Sequence, residues 1–244
     1  MVTAEQIYAQ FKHYPGSEHI ASENAIRGLI GVLKRARPRR ILEMGSGIGT
    51  LSFTIISTMR ELRPGDYQLV MVEHHPFCRA QLAINLGDEF YRTTLVRSGR
   101  EIPSGEFDLI IVDGGDTFDD RYLRFLAPHG MLFVEGHREP QRRIVEQSGR
   151  PFVRALYRSM QMEHAEHAAV LHRRNAGGRT VRWSGGYWIY QMNPTWTERA
   201  RFAAAHLWDG LLVTKRRQIK LARLALVETV RPRRSTEPPV PGHP

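Results

Sequence analysis

A glycine-rich segment between Glu43 and Gly49 constrains the fold of this 244-residue chain more than any other feature. It follows an apolar run at residues 41–44, which is typical of a short strand, and it precedes residues 51–59, whose apolar side chains recur at helical spacing. Glycines let the backbone turn tightly and let a ligand approach the main chain. The segment therefore predicts a strand, a ligand-binding turn (the glycine loop, residues 45–49) and a helix, in that order.

Strand-like and helical segments alternate along the first 136 residues. Further strands are predicted at residues 67–73, 94–97, 107–112 and 130–134, and helices at residues 17–36 (capped by Ser17), 76–86 and about 119–126. Such alternation predicts an α/β fold, a doubly wound, Rossmann-like and mostly parallel sheet with helices on both faces.

The alternation ends after residue 150. Residues 168–172 and 187–192 are predicted to form an antiparallel C-terminal hairpin at one edge of the sheet, with its turn near Gly177 and Gly178. These segments complete a predicted domain over residues 1–194. A basic amphipathic C-terminal helix over residues 195–230, packed on that domain, and a disordered, proline-rich tail over residues 231–244 are expected to follow.

The composition of the glycine loop favours a cationic ligand over a dinucleotide. A dinucleotide site prefers a further glycine three residues after the second, where a pyrophosphate meets the helix N-terminus. Thr50 stands at that position, and Glu43 places a carboxylate two residues before Gly45. S-adenosylmethionine has an ammonium and a sulfonium and no phosphate, so it suits such a loop.

Two further acids end neighbouring strands. Glu73 closes the second predicted strand, where a carboxylate can accept hydrogen bonds from the two hydroxyls of a ribose. Asp113 closes the fourth predicted strand. The glycine loop alone is a weak signal, and together with these three acids it becomes fairly specific.

On these features, residues 17–136 resemble class I S-adenosylmethionine-dependent methyltransferases. Within that group they are similar to bacterial small-molecule O-methyltransferases related in outline to catechol O-methyltransferase. The motifs that carry the resemblance lie at residues 41–50, 72–73, 107–114 and 126–134. The resemblance implies a seven-stranded sheet whose last strand is antiparallel, which agrees with the predicted hairpin.

The resemblance also implies which residues meet the cofactor. Gly45 and Gly47 would approach its methionine moiety, Glu73 its ribose, and Arg97 and Ser98 its adenine. The full predicted set of cofactor-binding residues is Glu43, Gly45, Ser46, Gly47, Gly49, Glu73, Ser98 and Asp113.

Candidate catalytic residues follow the fourth and fifth strands, because ligands bind outside the carboxyl ends of strands in such sheets. Asp113 is predicted to orient the acceptor or remove its proton, with a cap on the following loop as an equally good interpretation. His137 is the candidate general base, since an ordinary histidine titrates near neutral pH, although an exposed loop histidine is the simpler interpretation.

No metal is predicted. In metal-dependent relatives, an acid at the position of Asp113 and an Asp-Asn pair after the fifth strand bind magnesium, whereas this chain has Glu135 and Gly136 at the pair. Gly136 offers no ligand side chain. His164, His167 and His172 are interpreted as solvated residues.

The predicted acceptor is a hydroxyl of a small molecule or glycan. Nucleic acid is the alternative, since the net charge of +10 arises in the second half of the chain, where Trp183, Trp188 and Trp196 are interspersed. Against it, the chain lacks the Asn/Asp-Pro-Pro-Tyr/Phe motif of base methyltransferases, and no lysine lies between Lys34 and Lys215.

Two predictions concern the surroundings of the protein. Residues 206–227 form a basic amphipathic pattern that is able to contact an anionic membrane, although packing on the chain's own domain or on a second subunit is favoured. A single cysteine, Cys78, and no signal-peptide pattern predict a cytoplasmic protein. The sequence does not indicate an oligomeric state.

Overall fold

A computed structural model describes residues 2–114, 118–136, 138–158 and 186–204. The chain divides into two compact units, Met1–Phe202 and Ala203–Pro244, and the fold given below is that of the first. Residues 196–202 are helical, while most of the predicted C-terminal helix and the whole predicted tail lie outside the described residues. Within the part described, no helix is long and apolar enough to cross a membrane.

The first unit contains one seven-stranded sheet with the strand order β3-β2-β1-β4-β5-β7-β6. The strands are β1 (Arg40–Met44), β2 (Gln68–Val72), β3 (Thr94–Val96), β4 (Phe107–Val112), β5 (Leu126–Glu135), β6 (Phe152–Arg158) and β7 (Gly186–Met192). The first five strands pair in parallel, and β7 is antiparallel to both of its neighbours. The predicted mostly parallel α/β sheet with an antiparallel C-terminal strand is therefore confirmed.

Helices cover both faces of this sheet. The α-helices are α1 (Ala4–Phe11), α2 (Glu23–Ala36), α3 (Thr50–Leu62), α4 (Pro76–Leu86) and α5 (Glu139–Glu146), and short 3-10 helices span Ser17–His19, Gly87–Arg92, Gly99–Glu101 and Asp120–Phe125. Alternate residues of β4 point into two separate cores, Leu109 and Ile111 into one, Ile110 and Val112 into the other. This explains why β4 is apolar apart from the exposed Asp108 near its start, since a strand covered on both faces has no solvent side.

The helix predicted over residues 17–36 is two elements. Gly16, with φ of 86°, leads into the 3-10 turn Ser17–His19, and α2 begins only at Glu23. Its cap is Ser22, whose Oγ accepts a hydrogen bond from the backbone nitrogen of Ala25 at 3.2 Å, so the predicted Ser17 cap is wrong. The interruption matters because it places residues 16–21 beside the glycine loop. The segment predicted as a helix at about 119–126 is the 3-10 helix Asp120–Phe125.

The strand that pairs with β7 is β6, Phe152–Arg158, a segment that the sequence pattern did not predict as a strand. The predicted partner at residues 168–172 and the turn at Gly177 and Gly178 lie outside the described residues. β6 is an edge strand that carries Arg154, which forms an ion pair with Glu146 of α5 and lies over the ring of Trp188. Charged side chains on edge strands weaken the apolar alternation that strand prediction depends on.

Helix α2 packs closely on β7 at Gly28. A Cβ at this position would overlap the ring of Tyr187. That ring is itself stacked between Phe133 and Tyr157, with centroid distances of 4.8 and 5.1 Å. The glycine thus allows an N-terminal helix to lie against a layer of three aromatic rings from the C-terminal part of the sheet.

Candidate functional site

The carboxyl ends of β1, β2, β4 and β5 bring the predicted site residues to one edge of the sheet. The glycine loop follows β1, Glu73 follows β2, Asp113 follows β4, and Glu135 is the last residue of β5. These four strands are neighbours in the order β2-β1-β4-β5, so their ends meet. The switch in strand order between β1 and β4 opens a crevice there, the usual position of ligands in such sheets.

Gly45 joins the loop after β1 to the loop after β4. It has φ of 83°, and a Cβ there would overlap the backbone of Gly114. The backbone nitrogens of Asp113 and Gly114 both donate to the carbonyl of Met44 at 2.9 Å, which fixes the two loops together. The glycine at position 45 is therefore needed for contact between two loops, and its approach to a methionine moiety stays a prediction.

Gly47 faces open space. It has φ of 53°, and no atom lies within 4 Å of the position that a Cβ would occupy. Gly49, in contrast, faces Leu82 of α4, whose side chain would be 3.0 Å from such a Cβ. Of the three loop glycines, Gly47 is thus the one whose Cα face is free for a ligand.

Glu73 holds the glycine loop from the side of β2. Its side chain is buried, its Oε2 accepts from the backbone nitrogen of Gly47 at 2.8 Å, and its Oε1 accepts from that of His75 at 2.8 Å. A carboxylate oxygen accepts more than one hydrogen bond, so both oxygens retain acceptor capacity. Glu73 thereby fixes the loop and still offers acceptors at its surface.

Glu43 is fully buried beneath the loop. Its Oε2 accepts a hydrogen bond of 2.6 Å from the hydroxyl of Ser52. Burial raises the pKa of Glu43 to about 8, and the negative charges of Asp113 and Glu73 add to the effect. A buried carboxyl of this kind ionises when a positive ligand binds nearby, because an opposite charge favours its charged form.

Several buried polar atoms around the loop have no hydrogen-bond partner among the described residues. They include Thr50 Oγ1 and, at the ends of β4 and β5, Arg138 Nε. Glu43 Oε1 and Ser46 Oγ also lack a partner with hydrogen-bond geometry, although the Ser46 hydroxyl is close enough to the Glu43 carboxyl to oppose the rise of its pKa. Leaving a buried donor or acceptor unpaired costs about 1–3 kcal/mol. Such a concentration at one edge of the sheet indicates a place where a polar ligand supplies the missing partners.

A cavity of about 340 Å³ opens beside these atoms. One side of the cavity is formed by the glycine loop, the start of α3 and the residue after β4, with Ser46, Gly47, Ile48, Thr50 and Asp113. The other side is formed by the start of α4 and the residue before it, with His75, Phe77 and Cys78, and by residues 16–21, with Gly16, Glu18, His19, Ile20 and Ala21. A larger, open depression of about 920 Å³ lies at the opposite end of the strands, near Pro128 and Arg150, and contains none of the predicted site residues.

The residues after β4 and β5 form a second cluster, which contains an arginine that the sequence analysis missed. Nη2 of Arg138 lies 2.7 Å from Oδ1 of Asp113 and 3.7 Å from Oε2 of Glu135. Burial raises the pKa of the Asp113 carboxyl, and the Arg138 guanidinium opposes that rise. Burial and the neighbouring charge of Asp113 raise the pKa of Glu135 to about 8.

Two predicted site residues are not brought into these clusters. Ser98 lies in the turn after β3, where its hydroxyl donates to Oε1 of Glu101 at 3.1 Å, and its contact with an adenine stays a prediction. His137 lies outside the described residues, as do His164, His167 and His172. Of the predicted catalytic pair, the structure therefore places Asp113 alone.

Solved structures of methyltransferases share this fold. They include the O-methyltransferase TomG from Streptomyces achromogenes, involved in tomaymycin synthesis and solved in complex with SAM (17% identity, 78% of this chain and 88% of that chain, TM-score 0.53). A second is an O-methyltransferase from Bacillus cereus in complex with SAH (12% identity, 77% of this chain and 88% of that chain, TM-score 0.53). A third is a precorrin-6y C5,15-methyltransferase from Geobacter metallireducens (13% identity, 74% of this chain and 94% of that chain, TM-score 0.54).

At these identities the likeness establishes the fold, and the predicted class I methyltransferase fold is confirmed. No protein-family model and no curated protein matches the sequence.

Proposed function

We propose that the chain is an S-adenosylmethionine-dependent methyltransferase that methylates a hydroxyl group of a small molecule or saccharide. The observation that carries the proposal is that the buried hydroxyls of Ser46 and Thr50, which have no hydrogen-bond partner among the described residues, line the same cavity as the open face of Gly47, at the crevice between β1 and β4. The methyltransferases that share the fold, including those solved with SAM or SAH, support it.

The residues around the loop fit this cofactor in charge and in hydrogen bonding. S-adenosylmethionine supplies an electrophilic methyl group on a sulfonium and carries an ammonium. Glu43 is buried and accepts a hydrogen bond from a hydroxyl, and no arginine or lysine is among its hydrogen-bond partners in the described residues. Its carboxyl can therefore provide a negative charge to a positive ligand. Glu73 retains acceptor capacity for two ribose hydroxyls, and Gly47 leaves space for the ligand.

Asp113 is the residue that we propose for the acceptor. It lines the cavity next to the glycine loop, so its carboxylate can meet a group held opposite the cofactor. Burial raises its pKa, which makes the carboxylate a stronger proton acceptor than an exposed aspartate. The choice of an oxygen acceptor depends on this residue rather than on the fold, since the precorrin-6y C5,15-methyltransferase has the same fold.

Binding of S-adenosylhomocysteine to the full chain, measured by isothermal calorimetry, tests the cofactor site. Gly47→Asp places a side chain and a negative charge in the open space, and Glu73→Ala removes the acceptors. We expect Glu73→Ala to weaken binding by about 100-fold, as the loss of two hydrogen bonds of about 1.5 kcal/mol each to a charged group predicts. Gly47→Asp should weaken binding because its side chain occupies the ligand's space, and circular dichroism should be unchanged in both variants. Asp66→Asn, an exposed acid distant from the loop in sequence, is the control. Unchanged affinity in both variants would refute the assigned site.

The acceptor is found by transfer of radiolabelled methyl groups into a cell extract that is then fractionated. Label in the small-molecule or glycan fraction supports the proposal. Nuclease-sensitive label would instead assign the protein to nucleic-acid methylation. Asp113→Asn should remove most of the label while binding of S-adenosylhomocysteine persists.

Three predictions outside this site stay proposals. We propose that residues 195–230 pack on the methyltransferase domain of residues 1–194. We propose that this packing is preferred over binding of the same residues to a membrane. The free thiol of Cys78 supports a reducing, cytoplasmic location. Vesicle flotation of the full chain, compared with a chain ending at Thr195, distinguishes packing from membrane binding.

A further inference from the structure

The ends of β4 and β5 carry two buried carboxyl groups that share one cation. A single nitrogen, Nη2 of Arg138, contacts Asp113 at 2.7 Å and Glu135 at 3.7 Å. The side chains of both acids are about five-sixths buried, with exposed fractions of 16% and 15%. Asp113 and Glu135, called the acid pair below, cannot both be ionised in such surroundings without a nearby positive charge.

The acid pair is also tied to the N-terminal part of the chain. The backbone N–H of Ser22, the cap of α2, hydrogen-bonds with the Glu135 carboxylate and favours its charged form. Arg138 itself directly precedes α5, so it approaches the pair from a third element. Three separate segments thus converge on these two acids, and an arrangement of this kind is built by the fold rather than by chance contact at the surface.

These residues do not fit a magnesium site. A divalent metal of this type needs near-octahedral oxygen ligands at about 2.0–2.1 Å. One oxygen of Asp113 is already occupied by a guanidinium nitrogen, whose positive charge would repel a metal ion, Gly136 has no side chain, and Glu135 is engaged by Ser22 and Arg138. Among the residues that the structure describes, no group of three or more His, Cys, Asp or Glu side chains is placed to hold a metal ion.

We propose that Arg138 is a positioning residue of the acceptor site. Its guanidinium supplies the positive charge that a divalent metal would otherwise bring to the acid pair, and it does so as a permanent part of the chain. The inference rests on the proposed function, since it assigns Arg138 to the site in which Asp113 meets the acceptor. It extends that function by stating how the acids are neutralised and oriented.

The geometry gives Arg138 two tasks. Its charge-assisted hydrogen bond fixes the direction of the Asp113 carboxylate, which lines the cavity. Its Nε is buried and has no hydrogen-bond partner among the described residues, so it retains a donor for a polar group bound next to it.

The test compares wild type with Arg138→Met, Arg138→Lys and Arg143→Met. The last variant is the matched control, because Arg143 forms an exposed ion pair with Glu139 one turn along α5. Each full-length protein is treated with chelator and titrated with Mn²⁺, and free Mn²⁺ is followed by electron paramagnetic resonance. Binding of S-adenosylhomocysteine and transfer of labelled methyl groups with and without chelator are then measured.

We expect wild type to bind no stoichiometric Mn²⁺ and to transfer methyl groups equally with and without chelator. Arg138→Met should lower transfer by about 100-fold, the cost of losing one preorganised donor, with binding of S-adenosylhomocysteine unchanged. Arg138→Lys should restore part of the loss because it returns the charge without the planar fork. Arg143→Met should behave as wild type.

Two results would overturn the inference. One is stoichiometric Mn²⁺ binding by wild type that disappears in Asp113→Asn. The other is full transfer by Arg138→Met. If Arg138→Met does not fold, the Arg138→Lys variant and the metal titration of wild type still test the inference. Failure of wild type to bind S-adenosylhomocysteine would instead refute the proposed function, and the Mn²⁺ titration distinguishes that failure from a wrong assignment of Arg138.

Discussion

The two halves of the site are built in different ways. On the glycine-loop side, the key groups come from one short stretch, Glu43 to Ser52, with Glu73 added from the neighbouring strand. On the side of the acid pair, the contacts join Ser22, Asp113 and the segment that carries Glu135 and Arg138, three parts of the chain that are far apart in sequence. The first half is specified mainly by backbone geometry and the second mainly by tertiary packing.

The halves also differ in how buried negative charge is balanced. Glu43 has a hydroxyl as its partner and a pKa raised to about 8, so it stays protonated until a positive ligand favours its charged form. Asp113 has a guanidinium at 2.7 Å, so its balancing charge is already present. We infer that the glycine-loop side is prepared for a cation and the acid-pair side for a neutral or partly negative acceptor group.

The largest expected effect separates two glycines of the same loop. Gly45→Ala should destabilise the protein by roughly 2–5 kcal/mol, because the left-handed backbone disfavours a side chain and the Cβ would overlap the backbone of Gly114. Gly47→Ala meets no atoms and should cost only the backbone strain, about 1–2 kcal/mol. Urea unfolding of both variants measures the difference, and equal losses would show that Gly45 does not join the two loops.

A second prediction uses the pH dependence of stability. The pKa of Glu43 is raised to about 8 in the folded protein, so the folded state holds its proton more tightly than the unfolded state. Its contribution to stability is therefore fully present below about pH 4, the ordinary range of a glutamate, and is lost as pH rises towards 8.

Glu43→Gln should accordingly reduce the fall in stability between pH 5 and 8 by up to about 1.4 kcal/mol per pH unit. Part of the fall should remain, since the pKa of Glu135 is also raised to about 8. Urea midpoints at several pH values give the slope. Glu106→Gln, an exposed acid, serves as the control. A slope identical to that of wild type would mean that Glu43 is not the buried, protonated acid described above.

The smallest effect concerns two glycines of α2 and tests the packing that supports the acid-pair side. Gly28→Ala should destabilise the protein by about 1 kcal/mol, because overlap with Tyr187 outweighs the gain in helix propensity. Gly31→Ala, which meets no atom within 4 Å, should stabilise it by about 0.8–1 kcal/mol. Thermal unfolding followed by circular dichroism should show opposite signs, and stabilisation by both changes would contradict the close packing.

The same division explains which features could be predicted from the sequence. The strands up to β5 and the turn after β1 follow from apolar runs and glycine spacing, which are local properties. The edge strand β6 and the arginine at position 138 were missed, because each depends on a partner that is distant in the chain. The Ser22 cap is a local contact with Ala25, and it was missed because the 3-10 turn Ser17–His19 was predicted as part of the helix. The only available signal for Arg138 was a basic residue three positions after Glu135.

The contact between Gly28 and Tyr187 has a consequence for the order in which the protein is made. Helix α2 emerges from the ribosome long before β7, and β7 lies between β5 and β6 in the sheet. Until residue 192 has been synthesised, the nascent chain displays an unpaired edge at β5 and leaves Gly28 of α2 without the covering ring of Tyr187. Such surfaces favour association with other chains. Translation that stops before β7 should therefore yield insoluble fragments rather than a smaller working domain.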